Sequence, residues 1–124
     1  MESNDLRIGN YIADYECEPY YFKVEEIKKR NFDLGVVYRN GSCWCREPEL
    51  IELTEEILLK CGFDKLCDKR KGFKKSLYSN KYLSFDFDDG VLSIDWRPLL
   101  KIKYLHQLQN LYFALTNQEL TINL

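Results

Sequence analysis

The chain has 124 residues, of which 45% are hydrophobic and 15% aromatic, and its formal net charge is −2. This length fits one domain or one domain with a small appendage, and the near-neutral charge argues against bulk binding of nucleic acid. No apolar run approaches the roughly 20 residues of a membrane span, and the acidic N-terminus lacks the apolar core of a signal peptide. Five cysteines at irregular spacing favour reduced thiols. We therefore expect a cytoplasmic protein with no membrane partner.

The first half of the chain has the short alternating apolar segments that are typical of a small β-rich domain. Asn40-Gly41 is the strongest turn signal in this half, and it predicts a hairpin whose return strand carries Cys43 and Cys45. The predicted strands cover residues 6–12, 22–24, 32–38, 43–45 and 50–53. This series favours a small barrel of SH3-like type over residues 6–53.

A short helix is predicted after the barrel, and a hairpin follows it. Thr54 is a suitable N-cap, and Gly62 is suited to end the helix because glycine adopts the left-handed conformation at low cost. Farther along, the Asp-Gly pair at residues 89–90 predicts a two-residue turn. In that register Phe87 faces Leu92, and every apolar residue of one strand meets an apolar residue of the other.

The last segment predicts an amphipathic helix that starts near Leu105, with Asn117 as a left-handed cap and a terminal strand over residues 120–124. The apolar stripe of this helix is predicted to be buried. It comprises Leu105, Leu108, Leu111, Tyr112 and Leu115.

The second face of the closing helix is rich in amides and nearly free of charge, whereas a solvated helix face usually carries Lys and Glu. We therefore expect this face to touch something. The candidate ligand-binding residues on it are His106, Gln109, Asn110 and Phe113. The alternative is that the face packs against another part of the fold or against a second subunit.

These elements together predict an α+β fold. The SH3-like barrel would occupy residues 1–53. Residues 54–124 would add the short helix, the β-hairpin and the C-terminal amphipathic helix. We expect the two parts to pack as one unit.

Residues 65–81 form the most basic stretch of the chain, with 7 basic side chains and 1 acidic side chain. We predict a loop here, in which Gly72 allows close approach of the backbone to an anion. The anion contacts are assigned to Lys69, Arg70, Lys71, Lys74 and Lys75. The alternative is a solvated basic loop that binds nothing.

The chain offers little for catalysis. Its single histidine, His106, would have to serve any Cys-His or Ser-His arrangement, and no nucleophile-elbow sequence accompanies it. Cys43-x-Cys45 is a weak zinc signal, because structural zinc needs four ligands. Asp86 and Asp95 become diagonal neighbours in the predicted hairpin, but a solvated sheet face gives the same pattern. We therefore expect no enzyme, no cofactor and no bound metal.

Three segments stand out along the chain: Leu6–Ile12 (LRIGNYI), Leu53–Phe63 (LTEEILLKCGF) and Tyr104–Leu120, which contains HQLQNLY. They resemble sequence blocks of small proteins from Bacteroidetes phages and mobile elements. The third block departs from the family pattern at Asn117, where glycine is expected. Because the blocks span the chain, the resemblance implies one shared fold and a phage or mobile-element setting in the host cytoplasm. It transfers no catalytic residue.

The resemblance and the lack of catalytic residues together predict a non-enzymatic binding protein. In a phage setting, small acidic proteins of this kind often neutralise host defences. The expected role is therefore counter-defence, by sequestering a nucleotide-type immune signal or a host defence protein. The alternative is a nucleic-acid-associated housekeeping module that uses the barrel and the basic loop. A homo-oligomer is a further expectation, because the closing helix has an apolar and amide-rich surface.

Overall fold

The computed structural model describes residues 6–16, 20–65, 72–77 and 80–124. Within these residues the chain forms ten strands and two helices, which confirms the α+β class. The strands belong to three antiparallel sheets and do not close into a barrel there, so the SH3-like arrangement is not confirmed. No helix in the described ranges is long and apolar enough to cross a membrane.

The strands and helices are short. Strands β1 to β5 cover Tyr11–Ala13, Tyr21–Lys23, Glu26–Arg30, Asp33–Tyr38 and Cys43–Cys45. Strands β6 to β10 cover Asp64–Lys65, Gly72–Ser76, Tyr82–Asp86, Val91–Ile94 and Arg97–Lys101. Helix α1 covers Glu55–Lys60, and helix α2 covers Leu105–Thr116.

Contacts between Cα atoms divide the chain into two compact units. The first unit holds residues 1–52 and 104–110, and the second holds residues 53–103 and 111–124. The division therefore falls inside α2, whose first half belongs to the first unit.

The first unit contains a two-stranded sheet, β1-β2, and a three-stranded sheet with the order β3-β4-β5. The predicted hairpin at Asn40-Gly41 is confirmed, because β4 and β5 pair on either side of it, with Tyr38 opposite Cys43. Side chains from both sheets share one apolar core. Its buried members are Leu6, Ile12, Val24, Val36 and Tyr38.

Three strand predictions in this unit are corrected. The first strand begins at Tyr11, later than the sequence predicts. Residues 50–53 form no strand: within them only Glu52 makes an isolated bridge, with Tyr104, and the adjacent Glu49 makes another with Ala13. Strand β3 is not predicted, because its five residues are all exposed and mostly charged and so lack apolar alternation.

The second unit contains α1 and a five-stranded antiparallel sheet with the order β10-β9-β8-β7-β6. The predicted caps of α1 are confirmed: the Ile57 N–H donates to Thr54 Oγ1 over 3.1 Å, and Gly62 has a φ of 86°. Ile57, Leu58 and Cys61 supply the buried side of this helix.

The β8-β9 hairpin forms, but its register differs from the prediction by two residues. Phe85 faces Leu92, and the loop covers residues 87–90. Asp86 Oδ1 accepts a hydrogen bond from the Asp88 N–H over 2.8 Å, which favours this longer loop. A shift of two residues keeps every side chain on its face, so apolar alternation cannot distinguish the two registers.

Strand β7 lies in a stretch that the sequence predicts as a loop, whereas strand β10 overlaps a short strand that apolar alternation predicts over residues 100–104. Strand β7 pairs with β8 along its whole length, so the end of the predicted basic loop is a strand. Strand β10 follows a tight turn at Asp95-Trp96 and pairs with β9. It begins at Arg97 and so includes Pro98, at which the sequence predicts a break. Pro98 lies on the edge strand, where its missing N–H is tolerated.

Helix α2 confirms the predicted closing helix, but of its predicted apolar stripe only Leu105 and Leu108 are buried, and His106 and Gln109 are buried beside them. It begins at Leu105, and Asn117 follows its last turn with a φ of 59°, as predicted for a left-handed cap. The predicted strand over residues 120–124 does not form, although Leu120 is buried.

Candidate functional site

The first half of α2 carries the polar face that its sequence makes conspicuous. The helix start is held by the Tyr104 N–H, which donates to Gln107 Oε1 over 3.0 Å. The Leu105 N–H donates to Ile51 O over 2.8 Å. One turn later, the helix presents two amide side chains to the segment Arg7–Tyr11 of the same unit.

The side chains of Gln109 and Asn110 both form hydrogen bonds with that segment. Gln109 Oε1 accepts from the Tyr11 N–H over 2.9 Å, and Gln109 Nε2 donates to Gly9 O over 3.2 Å. Asn110 Oδ1 accepts from Asn10 Nδ2 over 2.9 Å. We call these contacts of Gln109 and Asn110 with the segment the amide clip. One amide side chain satisfies a backbone N–H and a backbone C=O at once, as a neighbouring strand would.

The local structure of the segment suits this contact. Gly9 has a φ of 95°, which glycine adopts at low cost, and its N–H donates to Val24 O over 2.8 Å. Asn10 is fully buried, and its Oδ1 accepts from the Arg7 N–H over 2.7 Å. Arg7 Nη2 in turn donates to Gln109 O over 3.3 Å. Both ends of the Asn10 amide are therefore used inside the unit.

The chain's own N-terminal segment thus contacts the part of the amide-rich face that Gln109 and Asn110 form. His106 is 1% exposed and Gln109 2% exposed. The His106 ring stacks on Tyr104, with ring centroids 6.0 Å apart. Asn110 is half-buried, and Phe113 is 38% exposed. For Gln109 and Asn110 the structure shows the alternative that the sequence leaves open, which is packing against another part of the fold.

The predicted anion site is not assembled by the described residues. Three of its five cations lie outside the described residues: Lys69, Arg70 and Lys71. Lys74 and Lys75 are adjacent on β7, so their side chains leave opposite faces of the sheet. Lys74 Nζ lies 5.1 Å from the ring centroid of Tyr82, and Lys75 Nζ lies 6.0 Å from that of Tyr112. These two lysines do not converge on one anion.

Lys75 has a structural role at the end of α1. Its Nζ lies 2.7 Å from the place that a Cβ would take at Gly62, so its charge faces the helix C-terminus, where cations are favourable. Cys61 is fully buried nearby, and this burial raises the pKa of its thiol to about 12, although Lys75 lowers it in part. Cys61 is therefore a protonated core residue at neutral pH and not a nucleophile.

The remaining cysteines and aspartates that the sequence analysis considers for chemistry have roles in the fold. Cys43 and Cys45 are half-buried and pack against the core of the first unit. In the part of the chain that the structure describes, no three His, Cys, Asp or Glu side chains are placed to hold a metal ion. Asp86 ends β8, whereas Asp95 accepts from the Tyr82 N–H at the start of that strand. The two aspartates are therefore separated by roughly 13 Å of strand and are not diagonal neighbours.

Among the described residues, Phe32 is the most exposed large apolar residue, at 94%. With Asn31 it forms the two-residue loop between β3 and β4, and both residues have positive φ, 47° for Asn31 and 73° for Phe32. Asparagine tolerates this backbone, whereas glycine is the residue favoured at the second position. The turn therefore holds a large aromatic ring in water at a cost in backbone strain.

An exposed apolar strip leads from this ring towards the core. Leu34 is 63% exposed and Ile27 38% exposed, whereas Val36 on the same face is buried. Lys29 lies opposite Leu34, and its Nζ lies 5.8 Å from the Phe32 ring centroid. A groove of about 310 Å³ runs beside the strip and is also lined by Leu6, Arg46 and Pro48. We call Ile27, Lys29, Phe32 and Leu34 the hairpin surface.

The opposite face of the same sheet is built around Trp44. Gly35 leaves room for its ring, since a Cβ at Gly35 would lie 2.5 Å from the nearest ring atom. Trp44 Nε1 donates to Lys28 O over 3.0 Å, and the Arg30 guanidinium lies 5.5 Å from the ring centroid. These contacts brace the hairpin beneath the exposed strip.

The sequence contains an indication of this hairpin, but apolar alternation points to a different assignment. Three consecutive cations, residues 28–30, precede Asn31-Phe32. Phe32 alternates with three apolar residues that follow it, so periodicity places it in the next strand. Only the preceding asparagine indicates a left-handed turn. Periodicity therefore assigns to a strand an aromatic residue that the fold leaves outside.

Comparisons with protein-family models, curated proteins and solved structures find no match for the chain. The resemblance to phage and mobile-element proteins therefore stays a prediction. Function has to be argued from the contacts and exposure described above.

Proposed function

We propose that this chain is a non-enzymatic binding protein that acts in counter-defence by sequestering a host defence protein. The setting, a phage or mobile element in the host cytoplasm, is the one that the sequence resemblance implies. The observation that supports binding of a macromolecule is Phe32, a 94% exposed aromatic residue in left-handed backbone. The hairpin surface is the proposed contact.

Folding alone does not account for Phe32. An L-residue in the left-handed region costs roughly 1–2 kcal/mol, and a ring that stays in water regains nothing through burial. Glycine would suit the turn better, since Asn-Gly is the favoured pair in two-residue loops. A partner that covers the ring would bury its apolar surface and so offset the backbone strain, because aromatic side chains dominate binding hot spots.

A protein partner is better supported than a nucleotide signal. A nucleotide needs polar and cationic groups that converge on one pocket. The amides of Gln109 and Asn110 already bind the N-terminal segment, and Lys74 and Lys75 leave opposite faces of β7. The hairpin surface is instead open and largely apolar, as protein-contact surfaces are.

A nucleic-acid-associated module is the second candidate, and one observation favours it. Arg30 lies over the Trp44 ring, and such pairs of cation and aromatic side chain occur in proteins that bind single strands. The SH3-like barrel that this module would use stays a prediction. Charge counts against it, because the first unit has 7 Lys or Arg and 11 Asp or Glu, a net charge of −4.

The proposal is tested by expressing the full chain in bacterial hosts that each carry one defence system, with plating of a restricted phage as the readout. We expect the wild-type chain to restore plating on at least one host, and Phe32→Gly to lose most of that effect while the protein stays folded. Trp96→Gly is the matched control, since Trp96 has a φ of 68° at the second position of its own turn. An effect that Phe32→Gly retains, or no effect on any host, would contradict the proposal.

Two binding measurements separate the other candidates. A higher Tm in the presence of linear or cyclic nucleotides would favour sequestration of a nucleotide signal, because a ligand of the folded state stabilises it. Binding to single-stranded DNA or RNA that weakens steeply with salt would favour the nucleic-acid module, because such binding releases counterions.

A further inference from the structure

We propose that the hairpin surface binds an acidic, leucine-containing segment of a partner protein. The inference rests on the proposed function for its biological setting, and on the chemistry of the surface for its evidence. Two properties of the β3-β4 hairpin support it. One is a partly apolar groove that is open to solvent, and the other is a pair of cations beside it, Lys29 and Arg46, on a unit that is otherwise acidic.

The groove suits aliphatic side chains. Its volume of about 310 Å³ lies at the lower end of the range for protein binding pockets. Its apolar walls come from Leu6, Ile27, Leu34, Val36 and Pro48. Since Leu34 is 63% exposed and Ile27 38% exposed, an inserted aliphatic side chain would remove apolar surface of both partners from water.

The rim of the groove is basic. Lys29 lies on the groove side of β3, and Arg46 lines the groove itself, with its Nη1 3.7 Å from Asp33 Oδ1. The first unit has a net charge of −4, so this hairpin is a local exception. An acidic segment is attracted here and repelled by the rest of the unit. Lys29 lies opposite Leu34, so a carboxylate next to an inserted leucine would meet its ammonium group.

Other occupants match only one of these properties. A second copy that docked through the same surface would bring Lys29 and Arg46 of both copies together, and like charges across an interface are repulsive. Nucleic acid would satisfy the cations, but its phosphates and sugars would leave the aliphatic groove without an apolar partner. An acidic segment with leucines satisfies both the groove and the rim.

The test is binding of three blocked pentapeptides to the full chain, with amide chemical-shift mapping. The probe is Glu-Leu-Glu-Leu-Glu, one control replaces each Glu by Lys, and the other replaces each Leu by Ser. We expect the probe to shift the amides of the hairpin surface. It should bind at least about tenfold more tightly than the serine control, which is the gain expected from one buried leucine. It should also bind more tightly than the lysine control, because that peptide carries the same charge as Lys29 and Arg46.

A matched pair of variants locates the binding. Leu34→Asp should weaken probe binding by about tenfold or more, because it removes an apolar contact and adds a repelling charge. Leu59→Asp makes the same change at a 55% exposed leucine of α1 and should leave the affinity unchanged. Equal affinity for the lysine peptide, shifts confined to other residues, or tighter binding of a ten-nucleotide oligothymidylate would overturn the inference.

The peptide experiment tests the partner chemistry and the plating assay tests counter-defence, so a negative result in one does not decide the other. If plating depends on Phe32 but the probe does not bind, the inferred partner chemistry is wrong and counter-defence stands. If the probe binds but plating never changes, the surface is supported and only counter-defence is contradicted.

Discussion

The amide clip and the hairpin surface belong to the same unit, and each reverses what its sequence suggests. The closing helix has a conspicuous uncharged polar face, and the fold uses much of it for internal hydrogen bonds. The β3-β4 hairpin looks like a charged segment followed by an ordinary apolar strand, and the fold leaves its aromatic ring in water. An unusual composition therefore shows that a face makes contacts, but it does not show whether those contacts are inside the fold or with a ligand. Amide side chains satisfy buried backbone groups as readily as they bind ligands.

The two regions also differ in what they contribute to folding. Gln109 and Asn10 are buried, and each uses both ends of its amide. Phe32 is 94% exposed and adds backbone strain instead of burial. Stability measurements on matched variants therefore separate a structural region from a binding region.

The largest effect is expected at the amide clip. Gln109→Ala should lower the free energy of unfolding by about 2–4 kcal/mol, because the Tyr11 N–H and the Gly9 C=O lose their partners and a cavity remains. Gln118→Ala, at an exposed residue, should change it by less than ~0.5 kcal/mol. Urea unfolding measures both variants. A Gln109→Ala protein as stable as Gln118→Ala would show that the clip does not hold the fold together.

A smaller effect is expected beneath the hairpin surface. Gly35→Ala should cost about 1–3 kcal/mol, because the new methyl group meets the Trp44 ring at 2.5 Å and the Cys45 carbonyl at 2.7 Å. Gly41→Ala is the control, since nothing lies within 4 Å of a Cβ there and only the strain of a positive φ remains, about 1 kcal/mol. Urea unfolding followed by tryptophan fluorescence compares them. Equal losses with unchanged fluorescence would mean that Trp44 does not brace the hairpin.

The smallest effect has the opposite sign and concerns Phe32. Phe32→Gly should raise the free energy of unfolding by about 0.5–1 kcal/mol, because relief of left-handed strain outweighs the greater freedom of glycine in the unfolded chain. Trp96→Gly should raise it less, since Trp96 is 55% exposed and makes further contacts. Thermal unfolding of both variants is the measurement. A clear loss of stability in Phe32→Gly would show that the ring packs in the folded state.

Sequence predicted the parts of this fold that depend on a few adjacent residues. The cap at Thr54, the left-handed Gly62 and Asn117, and the hairpin at Asn40-Gly41 all form as expected. Each depends on the backbone preference or the hydrogen bond of one or two side chains. The register predicted for β8-β9 is wrong by two residues, because apolar alternation has a period of two and cannot detect a shift of that size.

The strands that escaped prediction share a physical cause. Strand β3 is charged and exposed, and β7 has two lysines among its five residues, so neither shows the apolar alternation of a half-buried strand. Strand β10 is predicted only over its last two residues, because Pro98 indicates a break. These strands form because the backbone N–H and C=O groups of a neighbouring strand are available for hydrogen bonds. Whether such a neighbour is present depends on chain segments elsewhere in the sequence and not on the strand's own side chains.

By itself, the sequence determined the helix ends and the caps, because these follow from residues within one or two turns of each other. Only the tertiary structure decided what covers the polar face of α2. The contact of Gln109 with Tyr11 spans 98 residues, and it joins the first and third sequence blocks of the resemblance. No local pattern encodes such a pairing, because a buried amide bonds to whatever the fold brings beside it. The exposure of Phe32 was likewise decided by the β3-β4 register, which placed the ring in a turn and left it in water.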